Sequence, residues 1–257
     1  AYIHMAMAKN FAADGVWGVS KYEFTSSSSS ILWTSLLALI YFLFGTNQIT
    51  PLILNLFFAS LVIICSFFIL KKHNIKNSFM IFVLISLTAI TPLPPLMFTG
   101  LEHVFHILVS LLFIYSASEH LVESNTGRKN LIWLVILASM LPVIRYEGIF
   151  LVIVAVALFV FNRKFVTGII ISFISFIPIF IFGIISVKKG WSFFPNSLLL
   201  KGSFPDITSF DQFFAFTGAL YDIFFPAKNW VIIIAGLIAA SVTAYFFLKS
   251  RYRSILN

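Results

Sequence analysis

The chain has 257 residues, 60% of them hydrophobic and only 10% charged, with 32 phenylalanines and a mean hydropathy of +1.01. Soluble domains average about 45–50% apolar and about 25% charged residues, so soluble enzyme folds, disorder, collagen and disulfide scaffolds are excluded and a polytopic membrane protein is expected. Seventeen basic against nine acidic residues give a net +8. The basic residues fall in short clusters between apolar runs, a pattern that orients a chain in a membrane rather than binding nucleic acid.

Residues 1–50 read as an outer juxtamembrane segment. Ile3, Met7 and Phe11 recur every four residues, as in a short helix lying at an interface. Because the chain opens at Ala1 without a basic leader, a piece of a longer protein is expected. The serines at 26–30 read either as a flexible linker or as capping hydroxyls for a helix starting at Ile31. Apolar runs follow at 31–44, 51–70, 78–97, 101–122, 130–144, 146–161, 165–187 and 229–248. A spanning helix needs about 20 residues, which 31–44 lacks. Pro92, Pro94 and Pro95 should end a helix, and Cys65, inside an apolar run, reads as inert.

Placing Lys71/Lys72/Lys76, Arg128/Lys129, Arg163/Lys164 and Lys249/Arg251/Arg253 inside the cell makes every run from 51–70 onward alternate in direction. The expected fold is therefore all-α, with about seven transmembrane helices plus juxtamembrane or interfacial helices. Residues 1–50 carry the non-spanning helix 31–44, and residues 51–187 form a six-helix transmembrane core. Residues 188–228 make an outer loop, in which Ser209 and Gln212 form a capping box for an interfacial helix within 210–221. Residues 229–257 supply the last transmembrane helix and a basic cytoplasmic tail. No internal repeat is found.

Ionisable residues near membrane depth are costly and mark candidate sites. Glu102, His103 and His106 lie three or four apart at the start of the 101–122 run, on adjoining helix faces. They read either as interfacial residues with their heads in water or as part of a polar site. A divalent metal is left open, although no second carboxylate with ligand spacing stands nearby. Arg145-Tyr146-Glu147-Gly148 interrupts a long apolar stretch, either as a tight turn with paired charges or as an arginine placed for a phosphate. In regular helix Glu147 would point away from Arg145, so an external anion is expected as its partner. Residues 190–201 join an aromatic-proline core to polar donors and Lys201, reading as an ordered loop or a binding segment. No Walker A, HExxH, CxxC or nucleophile-elbow motif is present.

Five short motifs occur in one order: Ala1-Tyr2-Ile3-His4 with Lys9-Asn10-Phe11, Ser27-Ser28-Ser29-Ser30-Ile31-Leu32-Trp33-Thr34, Gly100-Leu101-Glu102, Arg145-Tyr146-Glu147-Gly148, and Phe194-Pro195-Asn196-Ser197-Leu198-Leu199-Leu200-Lys201. Together they resemble the GT-C membrane glycosyltransferases that use polyprenyl-phosphate sugars, and most the branch with terminal arabinofuranosyltransferases. The resemblance covers residues 1 to about 201. In that family the opening reads Asp-Asp-Ala-Tyr-Ile, follows a first transmembrane helix, and its acidic pair supplies the base. The catalytic residues are therefore expected immediately before Ala1, none lies in this chain, and the chain alone is expected to be inactive. The family usually has Arg-Pro-Glu-Gly where this chain has Arg145-Tyr146-Glu147-Gly148.

The resemblance implies sugar transfer from a polyprenyl-phosphate donor to a glycan, lipid or protein acceptor, at the outer face of a bacterial inner or plasma membrane. Arg145 and Lys201, with Lys188 and Lys189, would hold the leaving phosphate. Glu102, His103 and Asn196 would orient hydroxyls, and His4 and Lys9 would face the same cleft. Membrane lipids are the expected surroundings, and no cofactor is implied beyond the open question of a metal. A transporter or lipid flippase with helices broken near mid-membrane, and a non-catalytic assembly subunit, are the alternatives.

Overall fold

The computed structural model describes residues 1–122 and 128–201. Ten helices follow one another there: α1 Tyr2–Asp14, α2 Ile31–Phe44, α3 Thr50–Lys72, α4 Asn77–Ile90, α5 Leu93–Met97, α6 His103–Val122, α7 Arg128–Ile144, α8 Gly148–Phe161, α9 Phe165–Lys188 and α10 Asn196–Lys201. No strand occurs among the described residues. The interfacial helix expected within 210–221, the span expected at 229–248 and the basic tail lie outside them.

Helix boundaries follow local chemistry. Pro51 occupies the first turn of α3, where a missing N–H costs nothing, and Lys71 and Lys72 close its last turn, where cations meet the negative end of the helix dipole. The 78–97 run divides in two. Thr91 turns extended ahead of Pro92 and ends α4, because the residue before a proline is pushed out of helical geometry.

Among the described residues three helices are long and apolar enough to cross a membrane: α3, α6 and α9, with 23, 20 and 24 residues. At about 1.5 Å per residue these reach roughly 30–36 Å, the thickness of a hydrocarbon core. Helices α2, α4 and α8 are apolar but have 14 residues each, roughly 21 Å. Only 17% of the apolar window of α3 is buried within the protein, and Phe57, Phe68, Phe173 and Phe180 face outward. Apolar surface on that scale is compatible with a bilayer as surroundings.

Helix α7 packs against α2, α6, α8 and α9, while α3 packs on α6 and α1 on α2. The core is centred on Trp33, Phe58, Phe105 and Phe113, with the Phe58 and Phe105 rings stacked at 4.5 Å. Helix α1 buries His4, Met7 and Ala8, one stripe at helical spacing, whereas Ile3 and Phe11 point outward.

Polar ties hold the two ends of the bundle. At one end Lys72 pairs with Glu119, Tyr115 donates to Glu119 at 2.6 Å, Lys164 donates to the His120 carbonyl, and His120 meets Thr167. These contacts gather the ends of α3 and α6 with the start of α9, and bring lysines from two of the basic clusters to one end. Glu102, Arg145 and His4 meet at the other.

Candidate functional site

Arg145 follows the last residue of α7, and Glu147 is the N-cap of α8. A cation at a helix C-terminus and an anion at an N-terminus both suit the helix dipoles. The Arg145 N–H still reaches the Leu141 carbonyl, and the Gly148 N–H the Arg145 carbonyl, so the chain reverses within a tight turn. The turn brings the Glu147 side chain back: Arg145 Nη2 donates to Glu147 Oε1 at 2.9 Å. Arg145 Nη1 donates to Glu102 Oε1 at 3.1 Å and also to the His103 ring. The expectation that Glu147 points away and that Arg145 lacks a protein counter-charge is therefore corrected. It assumed regular helix across residues that form a turn.

Glu102 has only 5% of its side chain exposed, against 19% for Arg145 and 51% for Glu147. Its second oxygen, Oε2, has no hydrogen-bond partner among the described residues and lies 3.6 Å from His4 Nε2. On its other side the His4 ring meets Ser28 Oγ at 3.0 Å and Thr34 Oγ1 at 3.1 Å. Burial holds the His4 imidazole below its ordinary pKa, against the pull of Glu102.

The serines act differently from a cap or a linker. Ser26, Ser28 and Ser30 are buried, while Ser27 and Ser29 line a cavity, the two-residue alternation of an extended chain. Ser30 precedes α2 without a side-chain capping bond. Instead Thr34 Oγ1 donates back to the Ser30 carbonyl at 2.8 Å.

That cavity measures about 460 Å³, and His4, Ser27, Glu102, His103, Arg145 and Ser197 contribute to its wall. A volume of about 300–1,000 Å³ suits a small-molecule site. Ser197 Oγ is buried without a hydrogen-bond partner among the described residues. It is delivered by the 190–201 segment, which is fastened by Ser186 Oγ to the Ser192 carbonyl at 2.7 Å and by the Asn196 N–H to the Ser26 carbonyl at 2.8 Å. Tyr146, buried with its phenol pushed well above the ordinary pKa by burial, meets Phe194 edge-on at 6.4 Å and links the 145–148 turn to this segment.

Of the expected site residues, His4, Glu102, His103 and Arg145 come together in the cavity wall. Asn196 anchors α10 through its backbone, with its neighbour Ser197 facing the cavity. Lys9 stands exposed on α1, outside the wall. Lys201 ends α10, and its side chain lies outside the described residues. Lys189 lines a different cavity. Ser27, Ser29 and Ser197 had no individual signal in the sequence beyond lying in polar segments. No group of three or more His, Cys, Asp or Glu among the described residues is arranged to hold a metal ion. The chain matches no protein-family model, no curated protein and no solved structure.

Proposed function

We propose that the chain is the lipid-phosphate-binding part of a GT-C-type glycosyltransferase, moving a sugar from a polyprenyl-phosphate donor to an acceptor hydroxyl at the outer membrane surface. One observation carries the reading. All five motifs of the resemblance contribute to a single cavity, through His4, Ser27 and Ser29, Glu102, Arg145 and Ser197. On this reading seven helices cross the membrane, the short ones reaching its surfaces through their polar ends, and the cavity opens on the extracytoplasmic side.

In the proposed reaction an acceptor oxygen attacks the anomeric carbon, the carbon–oxygen bond to phosphate breaks, and its electron pair stays on the phosphate. Arg145 receives that charge, exchanging the half-exposed Glu147 for phosphate oxygens while Glu102 keeps it oriented. The acceptor proton passes to a carboxylate. In the resembling family this is the acidic pair preceding the residue equivalent to Ala1, and Ala1 lines the same cavity. Glu102 and His103, both in the cavity wall, would orient sugar hydroxyls. The transporter alternative draws less support, since Ser66 and Ser175, buried within α3 and α9, bond the Val62 and Ile171 carbonyls of their own helices.

Binding tests the reading without requiring turnover. The full chain in nanodiscs should bind a polyprenyl-phosphate sugar about tenfold to a hundredfold more tightly than the phosphate-free polyprenol, the worth of a charge-assisted hydrogen bond of about 1.5–3 kcal/mol. Arg145→Lys should keep only part of that difference, because the two-pronged guanidinium is lost. Equal affinity for the two lipids would remove the phosphate from the site.

A further inference from the structure

A second cavity, of about 430 Å³, adjoins the first and shares Ala1 and Tyr2 with it. The starts of α1 and α3 and the turn after α5 build it. Gly100, at φ +64 in that turn, lets the three meet: a Cβ there would stand 3.4 Å from the Cβ atoms of both Ala1 and Pro51. The two walls differ in chemistry. The first carries His4, Glu102, His103 and Arg145, whereas among the described residues of the second none has a charged side chain. In their place stand the rings of Tyr2 and Phe98, 83% and 76% exposed, so an occupant reaches them directly. Gln48 and Thr99 add an amide and a hydroxyl, both on exposed residues. Thr99 Oγ1 donates to the Leu96 carbonyl at 2.7 Å and keeps acceptor capacity, while an amide both donates and accepts.

Resting on the glycosyltransferase reading, we infer that this cavity holds the acceptor and that the acceptor is a neutral saccharide. A sugar ring presents C–H groups on its faces and hydroxyls around its rim. The C–H groups suit the electron-rich faces of Tyr2 and Phe98, and the hydroxyls pair with Gln48 and Thr99. A phosphorylated or acidic acceptor would find no counter-charge in this wall, and an anion taken out of water without one is costly. A hydrocarbon chain would cover the Gln48 amide and leave it without a partner. The volume lies within the range of about 300–1,000 Å³ that suits a small-molecule site. Because Ala1 and Tyr2 stand in both walls, a saccharide in the second cavity lies beside a lipid phosphate in the first, the proximity that transfer between them requires.

The test applies the full chain in nanodiscs to an array of neutral pentose and hexose oligosaccharides, uronic-acid oligosaccharides and uncharged serine-rich peptides, with and without saturating polyprenyl phosphate. Neutral oligosaccharides should be retained, and polyprenyl phosphate should not displace them, because the two cavities are distinct. Gln48→Leu should weaken retention about two- to tenfold, as expected for one neutral hydrogen bond, and Phe98→Ala by a similar factor for a lost ring contact. Both variants should keep the preference for a polyprenyl phosphate over the polyprenol, since neither residue lines the first cavity. Retention of no neutral oligosaccharide, tighter retention of the acidic ones or of the peptides, displacement by polyprenyl phosphate, or unchanged retention in both variants would each overturn the inference. The lipid preference, read on the same nanodiscs, reports separately on the phosphate site. Its loss with saccharides still bound would fault the glycosyltransferase reading, and its persistence without saccharide binding would fault the inference alone.

Discussion

Arg145 is held by two carboxylates of unequal standing, and its substitutions should separate stability from binding. Glu102 is almost fully buried, so Arg145→Ala leaves an uncompensated charge in the protein. Breaking a buried pair in this way costs about 3–5 kcal/mol, with the lower end expected here because Arg145 keeps 19% of its side chain exposed. Arg145→Ala combined with Glu102→Gln should recover most of the lost thermal stability without recovering phosphate-dependent lipid binding. Melting curves and lipid titrations on the single and double variants check this. Recovery of binding in the double variant would show that Arg145 is only a structural partner.

His4 adds a pH dependence at the same scale. Its folded-state pKa is depressed by burial below the ordinary 6.5, with Glu102 opposing and Arg145 and His103 reinforcing the shift. As pH falls past the ordinary value the unfolded chain gains a proton that the folded chain resists. The stability held by neutral His4 is thus complete above about pH 6.5 and is lost on acidification. Melting temperatures measured from pH 8 down to pH 5 should fall less steeply in His4→Gln; an unchanged slope would remove His4 from the acid response. The charged residues of this cluster were all visible in the sequence, but their meeting was not. Glu102 and Arg145 are joined only through the packing of α6 on α7, and an unbroken serine run gives no contrast from which to read which hydroxyls face inward.

At the scale of elements, Gly148 sets how closely the turn can fold back. A Cβ there would stand 2.7 Å from the Leu141 carbonyl carbon and oxygen and 3.1 Å from His106 Nε2. Backbone cannot yield as a flexible side chain does, so Gly148→Ala should cost about 1–3 kcal/mol and loosen the Arg145–Glu147 pair. A melting temperature equal to that of the unsubstituted chain would show that α7 and α8 can part there without cost. The helices themselves were legible within one or two residues at most boundaries, because each apolar run is closed by charge, glycine, asparagine or proline. The 78–97 run was the main exception, and the proline signal at its break was present. The stripe of Ile3, Met7 and Phe11 divides on folding, Met7 inward and Ile3 and Phe11 outward, since a four-residue recurrence of apolar residues cannot tell a lipid-facing stripe from a buried one.

For the whole molecule, the distribution of polar ties separates a basic end from the cleft end. After replacing Cys65, cysteines at Asn47 and Thr99 should react with an impermeant reagent from one side of the membrane, and a cysteine at Asn74 from the other. All three positions are exposed. Labelling of Asn47 and Asn74 from the same side would remove α3 as a spanning helix. How many shorter helices also cross is set by lipid as much as by sequence, since a helix of roughly 21 Å can meet the membrane surface only through its flanks or a thinned bilayer. The most direct test of the central claim is an electron cryomicroscopy structure of the full chain in a nanodisc with a polyprenyl-phosphate sugar. The account predicts the phosphate within hydrogen-bond distance of the Arg145 guanidinium, with Glu102 still paired to it and Glu147 turned away. A phosphate lodged elsewhere, with both carboxylates still on Arg145, would contradict it.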